Sequence, residues 1–172
     1  MRRAAAVLGV ALLATAFAGC LEAGDGPRVI PAAKRVTATD FTFTAFDGRD
    51  HNLSDFRGRT VIVDLMSQSC ATCEGESRAL QAAARATPDG GASLVLLLFD
   101  ASPRDPPDWM RDYAERHGFG EVYLGYAPDA VTRTYGAVAL DWNLVVDSEG
   151  RIAYRDETTT DEAAWRDLLA TL

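Results

Sequence analysis

The chain has three cysteines, Cys20, Cys70 and Cys73, and the last two are separated by only two residues in Cys70-Ala71-Thr72-Cys73. Thiols at that spacing can make and break a disulfide, help hold a metal, or attach a haem. A structural zinc site needs four ligands, usually from a second CxxC or a histidine pair. The chain has only two histidines, His51 and His117, and no second CxxC. Attachment of a c-type haem needs CxxCH, but Glu74 follows Cys73. As a structural staple the pair closes too small a loop to remove much entropy from the unfolded chain. Reversible thiol–disulfide chemistry is the expectation, with no metal and no cofactor beyond a Cys70–Cys73 redox disulfide.

Such chemistry needs one thiol exposed and activated and the other shielded. The flanking sequence predicts elements that do this. Thr60 to Met66 is a mostly apolar run with β-branched residues, which predicts a buried central strand. Cys73 to Ala86 is alanine-rich with Leu80, Ala83 and Ala84 on one face, which predicts a helix stopped by Pro88-Asp89-Gly90-Gly91. Cys70 therefore sits where a strand feeds a helix. Unpaired N–H groups and the dipole at a helix N-terminus favour an anion, so a thiolate there has a lowered pKa. Cys70 is expected to attack, and Cys73, one turn later, to resolve the mixed disulfide.

Around this unit the sequence predicts further elements. Phe41 to Ala45 alternates with threonines and returns through Asp47-Gly48 to a short strand at His51 to Leu53. Ser93 to Phe99 is a second buried strand. Asp108 is expected to cap a helix ending at Gly118. Glu121 to Leu124 is a short strand and Asp129 to Tyr135 a short helix. Asn143 to Asp147 and Arg151 to Tyr154 form a hairpin. Thr159 and Glu162 have capping-box spacing for a last helix carrying Trp165, Leu168, Leu169 and Leu172. Alternating strands and helices that end in a hairpin imply an α/β fold with a mixed sheet covered on both faces. Trp109, Trp142 and Trp165 are expected as core or rim aromatics, and both histidines at the surface.

The chain has 172 residues, which indicates one domain, and a net charge of −8 with Lys34 its only lysine. That sign argues against a nucleic-acid partner. Met1-Arg2-Arg3 followed by apolar Ala4 to Ala18 has the form of an export signal. Phe17-Ala18-Gly19-Cys20 resembles a bacterial lipobox, which would lipidate Cys20 at the mature N-terminus; Ala16-Phe17-Ala18 also fits ordinary cleavage, which would leave Cys20 a free thiol. Residues 1–19 are read as the signal, 20–36 as a tether rich in Gly and Pro, and 37–172 as the domain. Disulfides persist outside the cytoplasm, so export suits the pair.

From about residue 37 onward the chain resembles the membrane-tethered, thioredoxin-like thiol–disulfide oxidoreductases of the TlpA/ResA type. The resemblance rests on Phe46-Asp47-Gly48, Leu53 to Arg59, Val61 to Met66, Cys70 to Cys73 with Glu76, and Val145 to Ile152. It implies a thioredoxin-like sheet with helices on both faces, an N-terminal β-hairpin and a central insertion. It also implies that Asp64 is a buried proton relay for Cys73 and that Glu76 tunes the disulfide. A carboxylate desolvated in a buried strand has a raised pKa and can act as a general base. Two positions depart from the family. Ser69 stands where Trp usually precedes the first cysteine. Asp141 stands where a cis-proline is usual, in the Leu140-Asp141-Trp142-Asn143 loop that would face the cysteines and dock substrate. A cis bond before a non-proline costs about 3–4 kcal/mol, so a trans bond and a reshaped loop are expected. An acidic side chain there disfavours a Cys70 thiolate.

The partners implied are exported proteins with thiols or disulfides, and a membrane electron donor. The resemblance favours a reductant anchored at the extracytoplasmic face of the membrane, and one redox domain of this size can work as a monomer. Two other functions have to be weighed. A copper-handling module like the Sco family shares the fold and tether, but that family uses CxxxC and a distant histidine. A peroxidase would want Thr or Ser three residues before the cysteine and a Pro further upstream; Ser67 fits the first, while Val63 stands at the second.

Overall fold

The computed structural model describes residues 29–172. The signal, Cys20 and the first part of the tether lie outside the described residues. The elements in chain order are β1 (Thr42–Thr44), β2 (Asp50–Asn52), β3 (Thr60–Met66), α1 (Cys73–Arg85), β4 (Leu94–Asp100), α2 (Pro107–His117), β5 (Glu121–Tyr126), α3 (Asp129–Tyr135), β6 (Trp142–Val146), β7 (Ile152–Asp156) and α4 (Glu162–Leu169). β1 and β2 form a hairpin, and the other strands form one sheet in the order β5-β4-β3-β6-β7. β3, β4 and β5 run parallel, whereas β6 is antiparallel to β3 and β7 antiparallel to β6.

β3 is central and buried along its whole length. Successive side chains of a strand point to opposite faces. Val61, Val63 and Leu65 enter the core shared with β1, Phe56, α3 and Trp142. Ile62 and Met66 enter the core on the other face, with Cys73, Leu80, Met110, Tyr113, Trp165 and Leu168 from α1, α2 and α4. Asp64 lies between Ile62 and Met66 in sequence, so its side chain points to this second face, beneath α1. Both cores are aliphatic and aromatic, and their burial supplies the driving force for the fold.

Two helix starts differ from expectation. α2 begins at Pro107 with Pro106 as its cap, and Asp108 is inside the first turn, paired with Arg111 at 2.6 Å. Proline has no N–H to satisfy and its φ is already helical, so it starts the helix without a side-chain cap. α4 is capped by Asp161, whose Oδ1 accepts from the Ala164 N–H at 2.8 Å. Thr159 has another partner, described below. Gly118 ends α2 in the left-handed conformation, φ 58°, as a terminal glycine does.

Residues 29–36, assigned above to the tether, lie along β7. The Ile30 N–H donates to Ala153 O and the Ile152 N–H to Val36 O, both at 2.8 Å. Arg35 reaches Asp147 at 3.2 Å with both side chains 5% exposed. Asp147 also accepts from the Glu149 and Arg151 N–H groups and so shapes the β6–β7 turn. At the opposite edge Ala45 bridges Gly125, and the Phe46 N–H donates to Leu124 O. Among the described residues no helix is long and apolar enough to cross a membrane.

Candidate active site

Cys70 and Cys73 are joined in a disulfide at the N-terminus of α1. Cys73 is 2% exposed, whereas Cys70 is only partly covered. The backbone N–H of Cys73 donates to the Cys70 sulfur at 3.2 Å. That N–H belongs to the first turn of the helix and has no partner within the helix, so it is available to stabilise a Cys70 thiolate. Cys70 opens onto a groove between the start of α1 and α2, lined by Gln68, Glu74, Trp109, Tyr113 and Arg116. Residues separated in sequence thus meet at the exposed sulfur.

Beneath the disulfide is a buried polar cluster. Asp64 faces Asn143 across the β3–β6 register. The Asn143 amide donates to Glu76 Oε1 at 2.8 Å, and the Thr160 N–H donates to the same oxygen at 3.0 Å. Glu76 is 2% exposed, so this residue is no part of a solvated helix face. Asp64 Oδ1 and Glu76 Oε2 have no hydrogen-bond partner among the described residues. Burial raises the Asp64 pKa to about 7, helped by the charge of Asp141. Burial also raises Glu76 to about 9, with Asp64 adding to the effect and the Thr160 N–H opposing it. The two acids therefore hold protons at different strengths below one sulfur pair. The Tyr113 hydroxyl donates within this region, lying 3.0 Å from Cys73 O and 2.7 Å from Ser77 Oγ.

Asp141 is the third acid, and it lies against the disulfide. The bond before it is trans and its φ is 60°, the left-handed region that a non-glycine residue seldom adopts. Its N–H donates to Leu65 O at 3.0 Å, which pins the loop to β3. Its Oδ2 accepts from the hydroxyls of Thr72 and Thr159, the latter at 3.0 Å. Its Oδ1 lies 3.7 Å from the Cys70 sulfur. Thr159 thus supports the site and does not cap α4. Trp142, expected at the substrate loop, is fully buried and packs on Tyr135 in the opposite core. The first residue of β6 points away from the disulfide because the side chains alternate, so Trp142 supports the loop from behind.

Ser67 is buried and contacts Ser69 Oγ at 3.1 Å. Neither histidine joins the cysteines. His51 is half-buried and stacked on Phe43 with ring centroids 5.5 Å apart. His117, expected at the surface, is buried between Tyr113 and Phe119, with Nε2 3.2 Å from Glu74 Oε2. α2 packs that face against α1, which covers the ring.

The model of the AhpC/TSA family matches residues 35–155. The chain belongs to the AhpC/TSA family. Two curated relatives of this AhpC/TSA protein are the thiol-disulfide oxidoreductases ResA of Geobacillus thermodenitrificans (strain NG80-2) and Geobacillus kaustophilus (strain HTA426). Each is 25% identical over 116 residues, which cover 67% of the chain and 64% of the relative. The match thus spans just under two thirds of the relatives' length. Among solved structures, a secreted thiol-disulfide isomerase from Corynebacterium glutamicum superposes with a TM-score of 0.64 at 23% identity, covering 86% of this chain and 91% of that one. A thioredoxin-like protein from Aeropyrum pernix gives a TM-score of 0.65 at 16% identity, covering 77% and 89%. These likenesses establish the thioredoxin-like fold expected from the sequence.

Asn143, Thr160 and Thr72 were not assigned to the site by sequence, and Thr159 was read only as a helix cap. Only Asn143 carried a signal, as a lone amide inside the apolar run Trp142 to Val146.

Proposed function

We propose that this AhpC/TSA protein is an extracytoplasmic thiol–disulfide oxidoreductase acting as a reductant of exported proteins. One observation carries the reading: a disulfide at a helix N-terminus with the Cys70 sulfur facing a groove and Cys73 buried in the core on the sheet face to which Asp64 points. In the reduced form the Cys70 thiolate attacks one sulfur of a partner disulfide. The partner's S–S bond breaks, its other sulfur leaves as a thiolate, and a mixed disulfide forms on Cys70. Asp64 takes the proton of Cys73, whose thiolate then attacks the Cys70 sulfur. The second partner thiolate leaves, and two electrons have passed from the pair to the partner. A thiol donor at the membrane restores the dithiol. Glu76 stays protonated and tunes the disulfide, while burial and the charge of Asp141 set how readily Asp64 ionises. Asp141 disfavours a free Cys70 thiolate, so it stabilises the disulfide and makes the dithiol the stronger reductant. The ResA relatives and the secreted isomerase support the class of reaction and the location outside the cytoplasm. Attachment through lipidated Cys20 belongs to the same proposal.

The test is a glutathione redox titration of the chain carrying Cys20→Ser, read by thiol trapping and mass. A midpoint at or below about −250 mV is expected for a reductant, while about −120 mV would mark a donor of disulfides. Cys73→Ser should accumulate a mixed disulfide with a partner thiol, and Cys70→Ser should not. A pair that never interconverts between dithiol and disulfide would sink the proposal.

A further inference from the structure

The two sulfurs of the CxxC pair and a carboxylate from far along the chain meet at one point. Cys70 Sγ, Cys73 Sγ and a carboxylate oxygen of Asp141 all lie within 4.8 Å of one another. We propose that the reduced chain binds one Zn²⁺ ion through Cys70, Cys73 and Asp141, with a fourth position open toward the groove.

The geometry fits that ion. With Zn–S of about 2.3 Å and Zn–O of about 2.1 Å, a tetrahedral site has an S···O edge of about 3.6 Å. The Cys70 sulfur and Asp141 Oδ1 are already 3.7 Å apart. The corresponding S···S edge is about 3.8 Å, which the pair reaches once its S–S bond is reduced and the side chains turn apart about χ1. A CxxC is itself a common zinc-ligand pair.

The carboxylate is built in. Asp141 is 6% exposed, and its second oxygen is held by the Thr72 and Thr159 hydroxyls, which leaves Oδ1 toward the sulfur. Hydrogen-bonded carboxylates of this kind are the outer-shell arrangement that orients metal ligands. The Cys73 N–H on the Cys70 sulfur does the same for that thiolate. Two thiolates and a carboxylate carry three negative charges, and a divalent ion neutralises two of them. Thiolate with carboxylate suits a borderline ion such as Zn²⁺, whereas a soft monovalent ion would use the thiolates alone. Cys70 is partly exposed, so the ion has a way in and its fourth position stays open.

Capture displaces two thiol protons and transfers no electrons, so affinity rises with pH. Oxidation of the pair to the disulfide destroys two ligands and releases the ion. The inference rests on the reading above only in that the pair must be reducible.

The test uses the chain with Cys20→Ser, reduced with a phosphine, and Zn²⁺ titrated against a chromophoric chelator. One ion per reduced chain and none per oxidised chain are expected. Co²⁺ in place of Zn²⁺ should show thiolate-to-metal charge-transfer absorption and tetrahedral visible bands. Asp141→Asn should weaken binding by about tenfold or more, on the scale that loss of a supporting group has at metal sites. Thr159→Val, which leaves all three ligands, should weaken it less and checks the site should Asp141→Asn misfold. No binding by the reduced chain, or binding that Asp141→Asn leaves unchanged, overturns the proposal. Thiol trapping in glutathione on the same samples separates the two proposals. A chain that exchanges disulfides and takes no zinc loses only this one. A chain that takes zinc when reduced and exchanges nothing with glutathione loses only the oxidoreductase reading.

Discussion

Glu76 and Asp64 show how far one side chain's surroundings set its chemistry. Both are acids by sequence, yet burial brings Glu76 to about 9 and Asp64 to about 7. The folded chain therefore holds protons that the unfolded chain releases in the ordinary carboxylate range. The folded state binds more protons from that range up to about pH 9, so stability falls as pH rises through the window. Glu76→Gln keeps the Asn143 and Thr160 contacts and removes the larger part of this dependence. Its thermal midpoint, measured from pH 5 to 9, is expected to fall several degrees less than that of the natural chain. A parallel pair of curves would refute the assignment. Asp64 and Glu76 could be named from the resemblance because their distance from the cysteines in sequence is short. Asn143 and Thr160 hold Glu76, and Thr159 holds Asp141, from far along the chain, and only the folded sheet brings them there. The meeting of Asp141 with the sulfurs was legible from the cis-proline position, but its φ of 60° and its threonine clamp were not.

At the scale of elements the strand and helix periodicities carried most of the information. β3 occupies the residues its apolar run indicated, and the start of α1 falls at Cys73 as the Ala-rich pattern implied. The ends were harder, because capping depends on which side chain finds a backbone partner. Thr159 had capping-box spacing, but the Asp141 carboxylate took its hydroxyl and Asp161 capped α4 instead. Docking of the β1–β2 hairpin on β5 depends on Gly125, where a Cβ would come 2.9 Å from Thr44 O. That neighbour is backbone and cannot swing aside. Gly125→Ala is expected to cost about 1–3 kcal/mol, in the range of overpacking. A lower denaturant midpoint with an unchanged slope would show it, and an unchanged midpoint would contradict the close approach.

For the whole molecule, the sequence indicated one layered α/β domain, and the structure has two cores on either side of one sheet. The domain's N-terminal limit was not legible. Residues 29–36 looked like the end of a tether because Gly24, Gly26 and Pro27 just before them and Pro31 within them interrupt any period, yet Arg35 closes a buried ion pair with Asp147 and the backbone pairs with β7. That attachment is tertiary and leaves no local pattern. A chain that begins at Ala38 loses these contacts. It is expected to unfold at a lower denaturant concentration and to elute earlier as its concentration is raised, whereas the longer chain keeps one elution volume.

The reason lies in the rims of the sheet. An unpaired outer strand is a template on which another chain can add itself. Here β7 is covered at its start by residues 30–37, and β5 is covered at one end by Ala45 and Phe46 and carries the Arg59–Glu121 ion pair at the other. Copies of this protein can therefore be crowded together without zipping into fibrils, and the segment just before the domain is part of what keeps them apart.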